Sequence, residues 1–218
     1  MITEAYSKFF KELAKNNTKE WFHANKTQYE SEVKAPFISL LDALIPTLVQ
    51  WDNRILPDAK KAMFRIHRDV RFSKDKSPYN LIMKAGFSPN GKKSELPGYY
   101  LGIDANQIHV GGGLFMLGTP ALKAMRQYIS NEPEKLIAIV NNQEFKNAFG
   151  TLQGEKSKRI DKALMPIAEK TNLIYHKQFY AFKELPLSDF YGSDHLTDVL
   201  LKHFKIIREL NTYLNSAF

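Results

Sequence analysis

The sequence predicts an α+β fold, a central antiparallel sheet flanked by N-terminal and C-terminal helices, built as one domain over residues 1–218. Three observations predict it. Apolar residues recur at helical spacing before about residue 50 and again after 119, as on helices with one buried face. Between about 62 and 110 the period drops towards two, that of a half-buried strand. Short turns rather than helices join those alternating runs, so successive strands should be antiparallel. The size fits: 218 residues, 44% of them hydrophobic, can bury a core without a staple.

In chain order, Tyr6, Phe9, Phe10 and Leu13 share one face of a helix over 3–15. Asn17 reads as the N-cap of a second helix, with Glu20 completing a capping box, and Trp21, Phe22 and Tyr29 carry it to about Val33. Pro36 opens a third, with Phe37, Leu40, Leu41, Leu44 and Leu48 as its stripe and Pro46 expected to kink it or mark its last turns. Phe64, Ile66, Val70 and Phe72 then alternate as a strand over 62–72, and Tyr79, Leu81, Met83, Ala85 and Phe87 alternate again. Ser88-Pro89-Asn90-Gly91 is a turn signal. Tyr99, Leu101 and Ile103, followed by Asp104-Ala105-Asn106, Ile108 and Val110, read as a hairpin. Thr119-Pro120 caps a helix to about Ile129. Asn131 with Glu134 caps the next, through Leu136, Ile139 and Val140, and a short helix covers 141–149. After a polar loop at Thr151–Ser157, Ile160–Ala168 is helical in pattern, 177–184 reads as a strand, and Ser193 caps a final helix that buries Leu196, Leu200, Phe204, Ile207 and Leu210.

Composition excludes several function classes. With no cysteine, the chain has no disulfide, thiolate nucleophile or thiolate metal site. No apolar run is long enough to span a bilayer, and the opening MITEAYSKFFKEL lacks a signal-peptide core, so a cytoplasmic protein is expected. Net charge is +8, and it is concentrated. Residues 60–93 hold ten basic side chains (Lys60, Lys61, Arg65, Arg68, Arg71, Lys74, Lys76, Lys84, Lys92 and Lys93) against two acids, Asp69 and Asp75. That stretch accounts for the whole imbalance. Clustered cations repel one another and cost stability unless something offsets them, which points to an anionic partner. A solvated basic sheet edge is the plainer alternative.

Within the stretch, a regular strand would put Arg68 in the apolar row and Arg65, His67, Asp69 and Arg71 on the other face. A buried guanidinium needs a carboxylate, several carbonyls or an anionic ligand, unless a bulge turns it outwards. Ser73-Lys74-Asp75-Lys76-Ser77-Pro78 reads as a turn whose backbone N–H groups can form an anion-binding concavity. Arginine supplies a planar fork for phosphate or carboxylate, and lysine a point charge. The candidate anion-binding residues are Arg65, Arg68, Arg71, Ser73, Lys74, Lys76 and Tyr79, with Asp69 and Asp75 as acids that orient them.

These residues resemble the domain of unknown function 2461 family, uncharacterised bacterial and fungal proteins of about this length, over nearly the whole chain. The resemblance rests on Asn16-Asn17 with Trp21-Phe22, on Asn25-Lys26, Tyr29 and Pro36, and above all on the run from Arg65 to Tyr79. Gly98-Tyr99-Tyr100 and Gly111-Gly112-Gly113 also fit. Where the family usually has a basic residue after the tyrosine, this chain has Asn80. The resemblance implies one domain of mixed α and β content and no particular activity.

Other features are weaker. Gly111-Gly112-Gly113 is separated from the helix at Thr119 and does not match a dinucleotide fingerprint. It reads as a strand end approached by other backbone, or one that admits a ligand. None of the six histidines has zincin spacing, and no metal site is assigned. His67 beside Asp69, joined by His109 across the hairpin, is the candidate acid–base group. Phe64, Phe72, Tyr79, Tyr99 and Tyr100 interleave with cations as in a nucleic-acid binder, yet their alternation favours core packing.

The leading expectation is therefore a phosphorylated or other anionic small ligand on 65–79, with electrostatic stabilisation of a developing anion as the mechanism if the protein is an enzyme. Two alternatives stand beside it. One is a non-specific nucleic-acid-binding module. The other is a structural or partner-binding domain with an internal Arg–Asp network. The residues name no cofactor, substrate or oligomeric state.

Overall fold

The computed structural model describes residues 1–92 and 94–218; Lys93, one of the ten clustered cations, lies outside the described residues. The fold is α+β, with helices at both ends and a four-stranded antiparallel sheet of order β1–β2–β3–β4. The strands are β1 (Ile82–Phe87), β2 (Gly98–Asp104), β3 (Gln107–Leu114) and β4 (Phe179–Pro186). Among the described residues, no helix is long and apolar enough to cross a membrane. The chain divides into two compact units.

The first unit comprises Met1–Lys93, Tyr100–Val110 and Glu184–Leu201. Helix α1 (Glu4–Lys15) buries Tyr6, Phe9, Phe10 and Leu13, the stripe its spacing predicts. Burying an aromatic side chain contributes roughly 1.5–3 kcal/mol, so this stripe is a principal reason that α1 is held. The Tyr6 hydroxyl donates to the Ile103 carbonyl at 2.9 Å, which satisfies a phenol buried among hydrocarbon. Helix α2 (Lys19–Ala24) starts one residue later than expected. Its cap is Thr18, which accepts from the Trp21 amide at 3.2 Å, and not Asn17. One turn, α3 (Lys26–Gln28), leads through a π-helical stretch, Tyr29–Lys34, into α4 (Ala35–Trp51). Two expected helices thus run on as one. Pro36 lacks the N–H that an α-helical bond across this junction requires, and the wider π turn precedes it. Pro46 sits inside α4, whose stripe from Phe37 to Leu48 is buried as expected. A short helix α5 (Ala59–Ala62), not foreseen, is capped by Asp58.

The strand expected over 62–72 does not form. Met63 makes an isolated bridge to Ala85 and His67 another to Tyr79, and the chain is irregular beyond. Phe72, placed in the core by alternation, is 97% exposed. Asp69, Asp75 and Ser77 bond to nearby backbone and side chains and compete with a sheet ladder, and Pro78 has no amide to contribute to one. The second alternating run does form a strand, though β1 starts only at Ile82 and Leu81 is exposed.

The second unit comprises Ser94–Tyr99, Gly111–Lys183 and Lys202–Phe218. It contains α6 (Thr119–Asn131), α7 (Pro133–Asn141), α8 (Gln143–Phe149) and α9 (Met165–Lys170). The final helix, α10 (Leu196–Asn215), starts in the first unit and ends here. The caps expected at Thr119 and Asn131 fall instead on Gly118 and Glu132, without side-chain cap bonds, whereas Asn142 caps α8 by accepting from the Glu144 amide. The glycine run has a packing reason. A Cβ on Gly111 would strike the Ala181 carbonyl, and one on Gly113, at φ +121°, the Phe179 carbonyl. The bare backbone therefore admits the neighbouring strand β4. Phe115 stacks on Tyr180 and Phe182, with centroids 4.7 and 5.0 Å away.

Candidate functional site

The basic stretch is built from its anchors outwards. The Phe64 amide donates to the Lys84 carbonyl at 2.8 Å. At the His67–Tyr79 bridge, the Arg68 amide donates to Pro78 O at 2.8 Å and the Asn80 amide to Ile66 O at 2.7 Å. The Asn80 side chain donates to the same Ile66 oxygen at 2.9 Å, so this position serves the backbone. Asn17 reaches the segment from another part of the chain. Its amide donates to Tyr79 O at 3.0 Å and its side-chain oxygen accepts from Tyr79 N at 3.1 Å. The Tyr79 ring is buried and stacks on Phe22, with centroids 4.0 Å apart and planes 16° apart. These contacts fix the neck of a loop, residues 68–78.

Beyond the neck the loop is cross-linked by its own side chains. Arg68 donates to Asp75 Oδ2 at 2.5 Å and to Ser77 O at 3.0 Å, with a longer 3.4 Å contact to Ser73 Oγ. Asp75 Oδ1 accepts from both the amide and the hydroxyl of Ser77. The Ser77 hydroxyl first, then its amide and Arg68, hold the Asp75 carboxyl down at about 2. Arg71 grips Asp69 through two bonds, 2.9 and 2.7 Å, and this fork lowers the Asp69 carboxyl as well. The Lys76 ammonium donates to Val70 O at 3.0 Å. At the far end the Ser73 amide donates to Val70 O at 3.3 Å, closing a turn with Arg71 and Phe72 at its centre.

The structure thus brings together Arg68, Ser73 and Asp75 across the loop, sets Lys76 on the Val70 carbonyl, and pairs Asp69 with Arg71 at the tip. The Arg68 side chain is 25% exposed and its cation is already paired, whereas Arg71 is 76% exposed and faces water. Arg65 and Lys74 are exposed, and neither charged group makes a hydrogen bond or ion pair with the described residues. Tyr79 lies apart from these cations in the aromatic cluster.

The His67 ring packs against Tyr79 and Phe22, 5.0 and 6.3 Å between centroids, while Asp69 is engaged by Arg71. His109 sits elsewhere, between Asp104 at 2.9 Å and Glu184 at 3.4 Å, so the expected His67–Asp69–His109 group is replaced by two separate arrangements. Asp104 also accepts from the amides of Asn106 and Gln107, and these bonds to His109 and backbone lower its carboxyl against the opposing effect of burial. Among the described residues no group of three or more His, Asp or Glu is placed to hold a metal ion.

Sequence reasoning missed Asn17 and the exposure of Phe72. Asn17 carries a local capping signal that a contact 62 residues away overrides. Phe72 falls on an alternation that the loop's side-chain bonds interrupt.

Residues 5–213 match the family described as "Conserved hypothetical protein (DUF2461)". The chain belongs to that family. The match covers both anchors of the DUF2461 loop, Asn17 and Tyr79, and the whole basic stretch between its neck residues. Comparison with curated proteins returns no match.

Proposed function

We propose that the 65–79 loop of this DUF2461 protein binds a phosphorylated or otherwise anionic ligand, with a small phosphate compound as the simplest case. One observation carries the reading. The loop's two acids are each bonded to one arginine, Asp75 to Arg68 and Asp69 to Arg71, which leaves Arg65, whose charge reaches Asp69 only at longer range, and Lys74 without an ion pair among the described residues. Internal pairing therefore neutralises only part of the cluster, and the surplus remains at the surface. Lys76 adds to it, since a carbonyl partner leaves its charge uncancelled. The cross-links hold the loop backbone, Arg71 and Lys76 in place before a ligand arrives, which lowers the ordering cost of binding. Arg68, Asp69 and Asp75 set the loop's shape. Tyr79 anchors its neck, and Arg65, Arg71, Ser73, Lys74 and Lys76 offer the contacts. If a reaction is catalysed here, these cations would stabilise negative charge as it develops. The same reading takes the chain as one functional domain acting in the cytoplasm.

Calorimetric titration with inorganic pyrophosphate at low salt tests the proposal. Saturable binding at one site is expected, together with shifts of the 65–77 amide resonances. The double variant Arg65→Ala/Lys74→Ala should abolish it while leaving the fold intact. No heat and no shift at millimolar pyrophosphate would overturn the assignment.

A further inference from the structure

We infer that the tip of this loop is a platform for single-stranded nucleic acid, with Phe72 stacking on an unpaired base while the surrounding cations take the phosphates. The inference rests on the anion-binding reading of the same cations and extends it from an isolated anion to a strand.

Lone exposed apolar side chains are ordinary on protein surfaces, so exposure by itself says little. The setting of Phe72 is what points to a ligand. It is the most exposed of the large hydrophobic side chains described, at 97%, and it stands at the centre of the Val70–Ser73 turn. The turn is braced by Lys76 on Val70 O and by the Arg68–Asp75–Ser77 link, so the ring is presented on a stiffened tip. The Arg71 guanidinium lies 5.9 Å from the ring centroid and is held there by its two bonds to Asp69. A flat π-face next to a fixed cation matches a base joined to its phosphate. Lys74, two residues on, is exposed and carries an uncommitted charge for a neighbouring phosphate.

Two features favour a strand over other anionic partners. The ring is open to water rather than enclosed, so a single nucleotide would gain little there. A strand adds further phosphate contacts, each of which contributes through release of counterions. A lipid surface fits less well. Membrane-binding elements offer several apolar side chains together, whereas Phe72 is flanked by Arg71, Ser73 and Lys74. Duplex is disfavoured because its base faces are already stacked on one another.

The test is fluorescence anisotropy on the whole protein with a labelled single-stranded oligothymidylate of about fifteen nucleotides, long enough for one site. Competition by unlabelled duplex, by thymidine monophosphate, by inorganic polyphosphate and by phosphatidylserine vesicles completes it. The strand should bind at least tenfold tighter than duplex or mononucleotide. Phe72→Ala should weaken the strand roughly 5- to 100-fold, the usual loss of one stacked base. Phe72→Trp should retain it, and polyphosphate binding should be the same in all three proteins. If polyphosphate and strand both bind but Phe72→Ala alters neither, the stacking inference falls and the anion reading survives. Equal affinity for duplex or mononucleotide, or vesicle binding lost in Phe72→Ala without strand binding, overturns the inference too. If neither polyphosphate nor strand binds, both readings fail.

Discussion

Asn17 and Tyr79 hold each other by a reciprocal pair of hydrogen bonds across 62 residues of chain, the Asn17 side chain meeting both the amide and the carbonyl of Tyr79. The pair ties the turn between α1 and α2 to the neck of the basic loop. A side-chain amide is suited to this because it donates and accepts at once, as a strand neighbour would. The loop's position thus depends on a residue far from it in sequence.

Asn17→Ala should therefore destabilise the protein by about 1–2 kcal/mol, since it leaves a part-buried N–H and C=O of Tyr79 without partners. Asn17→Asp keeps the acceptor and loses the donor, and should recover part of the loss. Urea denaturation measures both. Backbone amides over 68–78 should also exchange faster with solvent in Asn17→Ala, and an unchanged exchange pattern would show that the neck is held without this clasp.

Acid should loosen the loop before it unfolds the rest. Asp75 is depressed to about 2, against about 3.9 in an unfolded chain. A carboxyl lowered by folding contributes stability that is complete above the unfolded value and is lost as pH falls through the folded one. The relevant window is thus about pH 4 down to pH 2. The Asp75 carboxyl and Ser77 amide resonances should titrate together near the lower end, and Asp75→Asn should remove that transition. An Asp75 midpoint at the ordinary aspartate value would refute the arrangement.

Gly113→Ala should be among the most damaging small substitutions. It combines a φ of +121° with a Cβ driven into the Phe179 carbonyl. A loss of about 3 kcal/mol or more is expected, beyond the usual range for a single methyl group. Gly150→Ala is the control. It shares a positive φ, +75°, but a Cβ there meets nothing within 4 Å, so only the backbone strain remains. Thermal melts that place the two variants together would show that close approach of β4 is not what the glycine serves.

The α+β class, the stripes on α1 and α4, the β2–β3 hairpin and the concentration of charge in 60–93 were all legible in the residues. Each follows from a local period or a count, and local periods survive folding when one face is buried throughout. The loop's true form was not legible. Phe64, Ile66, Val70 and Phe72 alternate well enough for a strand, but Ile66 alone of the four is fully buried. Nothing in their spacing reveals that Asp75 and Ser77 fold the chain back onto Arg68. His109 likewise could be placed on a hairpin from sequence, but its partners Asp104 and Glu184 could not both be named.

By itself, then, the sequence determined the buried stripes of the long helices, the β2–β3 hairpin and where the positive charge is stored, because periodicity and net charge are properties of neighbouring residues. The tertiary structure decided which cations are already neutralised, that Asn17 clasps Tyr79 and that Phe72 points into water. Those outcomes depend on pairings between residues distant in the chain and on competition between side chains and backbone for the same hydrogen bonds. Neither the pairing nor the competition leaves a periodic trace.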